Sequence, residues 1–140
     1  MWNPWGTAGR LWRHVDIIWW HELPNGVRGL VRGGTIWLCR TLTQAERRCT
    51  LTHELIHLER GIGDHIYRDA EEHAVDAETA RRLISLPRLA EALRVTRNPA
   101  ELADALWVDT ATLRTRMATL DPLETAELEH ALEDEWLWIP

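Results

Sequence analysis

The segment His53-Glu54-Leu55-Ile56-His57 sets two imidazoles four residues apart, with a carboxylate beside the first. On a helix, residues i and i+4 stand one above the other, so both rings can reach a single metal ion. The neighbouring glutamate is then placed to take a proton from water at that ion. Neutral imidazoles and a carboxylate suit zinc. With seven His and fourteen Glu in 140 residues, chance alone gives such a pattern in roughly 3% of chains of this composition. The spacing is therefore informative, and its surroundings must carry the rest.

A catalytic zinc takes three protein ligands and keeps one position open. Downstream, Glu72-His73-Ala74-Val75-Asp76 places two acids one helical turn apart. Glu72 is the expected third ligand, with Glu71 and His73 as its competitors. Asp76 would accept a hydrogen bond from the far nitrogen of His53 or His57, fixing tautomer and ring orientation. The plainer alternative is that Glu71, Glu72 and Asp76 form a solvated helix face.

The elements that must position these residues have readable boundaries. Thr43-Gln44-Ala45-Glu46 fits a capping box, and Gly61 fits a helix stop. A helix over 43–60 therefore carries the motif mid-span, with Leu51, Leu55 and Leu58 available for packing. A second helix is expected from about Asp69 to Ser85, ended by Pro87. Ahead of them, His14–Trp20, Val27–Val31 and Thr35–Arg40 read as strands, with turns at Pro24-Asn25-Gly26 and a hairpin across Arg32-Gly33-Gly34. Short helices follow over Leu89–Val95, Pro99–Leu106, Thr110–Leu120 and Leu123–Leu137, with Pro99 and Pro122 in first turns. The expectation is one α+β domain over 1–140: a small N-terminal sheet (14–40) packed on the motif helix, the metal-site helices (43–85), and a helical tail (88–140).

Composition narrows the function classes. Hydrophobic residues make up 45% and charged residues 27%, a globular balance. No apolar run approaches a bilayer span, and the first residues carry no basic region followed by an apolar stretch, so a cytoplasmic protein without a membrane partner is expected. The net charge of −6 opposes bulk binding to nucleic acid. Seven acids and no Arg or Lys follow from Asp121 onward, so residues 1–120 are close to neutral. Cys39 and Cys49 make no disulfide framework.

The run Thr35–His57, in which a strand leads through a capped turn into Leu51-Thr52-His53-Glu54-Leu55-Ile56-His57, resembles the ImmA/IrrE family of metallopeptidases. So does Glu72–Pro87, similar to that family's second helix, where Asp or Asn follows a Glu four residues on. Thermolysin-like zinc peptidases share this Glu-x-x-x-Asp helix. The resemblance covers about residues 27–120. It implies His53 and His57 as zinc ligands, Glu54 as general base, Glu72 as third ligand and Asp76 as the acid behind a ligand. Two features depart from the family pattern: Glu78-Thr79-Ala80-Arg81-Arg82 stands where a Phe-Ala-Ala stretch is usual, and only fourteen residues separate His57 from Glu72. Many members are encoded by phages and mobile elements, and some cleave or inactivate a repressor, which implies a specific regulator as substrate.

Weaker candidates complete the reading. Tyr67, His65 and His73 lie near the expected ligands in sequence, as groups for a developing oxyanion or for substrate. Cys49 stands four residues before His53 and reads as a buried, inert thiol. Ala100–Met117 has the rhythm of a helix-turn-helix but an acidic balance, which disfavours DNA. Trp136 and Trp138, beside an acidic helix, are candidates to cover the cleft or dock on a partner. The expected function is a zinc endopeptidase, one Zn2+ per chain, acting on a specific protein. The alternatives are a zinc-stabilised protein that binds a regulator without cutting it and a helix-turn-helix DNA-binding regulator.

Overall fold

A computed structural model describes residues 1–61 and 68–133 of the chain. The order of elements is α1 (Pro4–Leu11), β1 (Asp16–His21), β2 (Gly29–Arg32), β3 (Thr35–Cys39), α2 (Gln44–Arg60), α3 (Arg68–Leu83), α4 (Leu86–Val95), α5 (Pro99–Leu106), α6 (Thr110–Ala118) and α7 (Pro122–Ala131). A small sheet comes first and helices follow, so the chain is α+β as expected.

The sheet runs β1-β3-β2. β2 and β3 form the expected antiparallel hairpin, turned by Gly33 and Gly34, both at positive φ, as a tight two-residue hairpin requires. β1 lies on the other side of β3 and parallel to it, which makes β3 central and the most buried strand (Ile36 and Leu38 are almost fully covered). Two strands begin later than the sequence suggested: β1 at Asp16 rather than His14, and β2 at Gly29 rather than Val27. Gly29 is needed where it stands. A Cβ there would lie 2.5 Å from the Thr50 methyl and 3.2 Å from the Trp37 carbonyl oxygen, so the close approach of α2 to the edge strand depends on a residue without a side chain.

α2 begins with the capping box: the Thr43 hydroxyl accepts from the Glu46 N–H at 3.1 Å, and the Glu46 carboxylate accepts from the Thr43 N–H at 3.0 Å. It ends at Gly61, φ 81°, a backbone region that favours glycine. This helix separates two apolar clusters. Leu51 and Leu55 pack with Ile36, Leu38, Leu42 and Ala8 beneath the sheet, whereas Cys49 belongs to the helical core of Leu83, Ile84, Leu89, Leu102, Leu106 and neighbours. Packing on two sides fixes the rotation of α2, and hence where its imidazoles emerge.

Two differences from the sequence expectation have local causes. α1 was not foreseen: Asn3 caps it, accepting from the N–H groups of Trp5 and Gly6, with Pro4 in its first turn. α3 stops at Leu83, and Pro87 lies within the first turn of α4 instead of merely terminating α3, since a first-turn N–H has no helical partner to lose. α7 is described to Ala131; Trp136 and Trp138 lie outside the described residues. Among the described residues, no helix is long and apolar enough to cross a membrane.

Candidate metal centre

α2 and α3 pack side by side, and three side chains from them converge. His53, His57 and Glu72 form a group that could hold a metal ion. His53 Nε2 lies 3.1 Å from His57 Nε2. Glu72 closes the triangle, its Oε2 3.2 Å from His53 Nε2 and its Oε1 2.9 Å from His57 Nε2. Ligands bound tetrahedrally at zinc distances stand about 3.3 Å apart, so the three donors are spaced for such an ion with little rearrangement. The donor chemistry fits too, because a shared cation satisfies two imidazole lone pairs and a carboxylate at once.

Asp76, one turn beyond Glu72, accepts from His53 Nδ1 at 3.0 Å. That bond puts the ring proton on Nδ1 and leaves the Nε2 lone pair for the centre. Burial holds the His53 pKa below its ordinary value, against the opposing charges of Asp76 and Glu72. A neutral ring is the form that binds metal.

Glu54 is buried, and its carboxyl pKa is pushed up to about 7, first by desolvation and then by the charge of Glu72. A carboxyl poised near neutrality can both accept and return a proton. His53 and Glu54 form part of the wall of an open cleft of about 430 Å³, bordered by Val27 and Arg28 before the edge strand and by Asp109 and Thr112 of the α6 start. Across it the Arg28 guanidinium donates to Asp109 at 2.7 Å, with Glu46 at 3.6 Å. Asp109 also caps α6, accepting from the Thr112 N–H at 2.7 Å. Neither Arg28 nor Asp109 stood out in the sequence as a cleft residue, since 81 positions separate them.

The competing candidates lie elsewhere. Glu71 is held by Arg60 through two bonds of 2.7 and 3.0 Å and is outside the converging group. His73 is exposed and also outside it. Tyr67 and His65 lie outside the described residues. Cys49 is buried in the cleft wall, and desolvation raises its thiol pKa, so it stays protonated and inert. In the α5–α6 segment, Arg116 is buried, donating to the Ile84 carbonyl at 2.9 Å and to the Glu124 carboxylate. That arginine is committed to the core and is not presented to a phosphate backbone.

The chain matches no family model, and neither the curated proteins nor the solved structures yield a match.

Proposed function

We propose that this protein is a zinc-dependent endopeptidase acting on a specific protein substrate. One observation carries the reading: a buried, proton-ready Glu54 adjoins a triangle of two imidazoles and a carboxylate with edges of 2.9–3.2 Å. His53, His57 and Glu72 would hold the ion, and Asp76 would orient His53. Zinc bound there supplies Lewis acidity, polarising a scissile carbonyl and acidifying water. Glu54 would take the proton from the attacking water and return it to the leaving amine. The cleft beside these groups reaches the start of edge strand β2 at Gly29, where an extended chain entering it could hydrogen-bond to backbone at the strand edge. The resemblance to ImmA/IrrE peptidases favours a regulator, such as a phage or mobile-element repressor, as the substrate, and a cytoplasmic setting.

Elemental analysis of purified protein tests the metal. The expected result is about one zinc per wild-type chain, largely lost in Glu72→Ala and retained in Glu54→Gln. Mass spectrometry of new N-termini in a host extract tests the chemistry. Cleavages should form with the wild-type protein and be absent with Glu54→Gln. A wild-type chain that takes up no zinc overturns the reading. Zinc without Glu54-dependent cleavage reduces it to a metal-stabilised binding protein.

A further inference from the structure

On another side of α2, away from the metal centre, lies a groove of about 650 Å³ walled by tryptophans. Trp5, Trp19 and Trp107 line it and remain 38%, 41% and 52% exposed, unusual for rings of this size. The walls are built rather than incidental. Arg48 is buried and donates to the carbonyls of Trp107 at 2.9 Å, Leu106 at 3.4 Å and Trp2 at 3.1 Å, tying both rims to α2. Trp5 and Trp19 meet edge to face at 5.4 Å. A bulge in β1, where three residue steps oppose two on β3, leaves Trp19 and Trp20 both outward. Trp107 itself is held at φ 61°, a conformation that disfavours a bulky side chain.

The charge in this groove is unbalanced. Among the described residues, its charged lining side chains are Arg47 and Arg48, and no acid lines it. Arg48 is committed to the three carbonyls. Arg47 has a buried Nε without a hydrogen-bond partner, and among the described residues no carboxylate pairs with it. An unpaired guanidinium amid aromatic rings is complemented by one carboxylate flanked by apolar groups. Single-stranded nucleic acid also stacks on such rings, but it needs a track of several cations, and among the described side chains that line the groove only Arg47 is uncommitted.

We propose that this groove docks a segment of a partner protein in which an Asp or Glu is flanked by apolar residues. The inference is independent of catalysis at the metal centre. The test is fluorescence anisotropy with labelled nonapeptide mixtures, central residue fixed as Glu or as Gln and flanked by Leu, Pro, Val or Trp. Wild-type protein should bind the Glu mixture about tenfold more tightly than the Gln mixture, the contribution of one charge-assisted hydrogen bond. Arg47→Gln should erase that preference. Trp107→Gly, which suits the left-handed backbone, should weaken both mixtures while circular dichroism stays unchanged. Equal affinity for the two mixtures, a preference that survives Arg47→Gln, or no saturable binding up to about 1 mM overturns the proposal. So does tighter binding of oligo-dT than of the Glu mixture.

Discussion

Two sites on the same helix stand in opposite electrostatic condition. At the His53/His57 end of α2, Glu54, Glu72 and Asp76 gather around two imidazoles, one of which burial keeps neutral. At the Arg47 end a guanidinium sits among tryptophans, and no acid among the described residues lines the groove. The first set could hold a cation, and the ligand proposed for the second would bring an anion. In both places neighbouring groups have been used up elsewhere: Arg60 takes Glu71 from the centre, and three carbonyls take Arg48 from the groove. At the centre the converging donor set indicates the ligand, and in the groove the unmatched charge does. Ordinary ion pairs such as Arg82–Glu59, with both groups matched, carry no such indication.

The acidic character of the centre can be tested most strongly without metal. Glu54 has a folded pKa of about 7 against an ordinary 4.5. Between those values the folded protein keeps a proton that the unfolded chain has lost. The group's favourable contribution is therefore complete below pH 4.5 and disappears as pH rises through 7. The span corresponds to about 3 kcal/mol. In urea titrations with chelator present, Glu54→Gln should be more stable than wild type at pH 8 by about that amount, with the gap largely closed at pH 5. An unchanged gap between the two pH values would mean that the acids do not strain this site.

A gentler change removes one charge from behind a ligand. Asp76→Asn keeps the shape but replaces the carboxylate that accepts from His53 Nδ1. Metal affinity should fall about 10- to 100-fold, read by competition with a zinc chelator, while stability of the metal-free protein changes by less than about 1 kcal/mol because Asp76 is half exposed. Unchanged affinity would place Asp76 on a merely solvated face of α3, and the contrast with the groove would lose one of its terms.

Features with local causes were legible before any coordinates. The Thr43/Glu46 box, the Gly61 stop, the start of α5 at Pro99 and the i, i+4 imidazoles each depend on residues within one helical turn. Spacing alone does not separate Glu72 from Glu71, because adjacent helix positions point about 100° apart and either can face α2 according to the rotation of α3; the Arg60 guanidinium on the facing helix, which holds Glu71, separates them. Contacts across the chain had no such signal. Arg28 meets Asp109 across 81 positions, Arg48 meets Trp107 across 59, and the Trp2 indole N–H reaches the Thr52 hydroxyl across 50. The parallel placement of β1 beside β3 is likewise a pairing between segments distant in sequence, with Asp16 opposite Thr35 and Ile18 opposite Trp37. α1 was missed despite its local Asn3-Pro4 start, because Gly6 and Gly9 lower the helical propensity of so short a segment.

The smallest expected effect is also the one that best separates a ligand-seeking arginine from a structural one. Arg47 and Arg48 are adjacent, yet only Arg48 answers buried carbonyls. Arg48→Met strands the Trp107 and Trp2 carbonyls and should cost about 2 kcal/mol in urea unfolding. Arg47→Met removes a buried nitrogen that had no partner and keeps an apolar stem against the rings. Its effect should lie within about 0.5 kcal/mol of zero. If Arg47→Met instead destabilises as much as Arg48→Met, Arg47 is part of the fold's own framework. The groove would then hold no spare charge, and its tryptophans would have to be explained by packing alone.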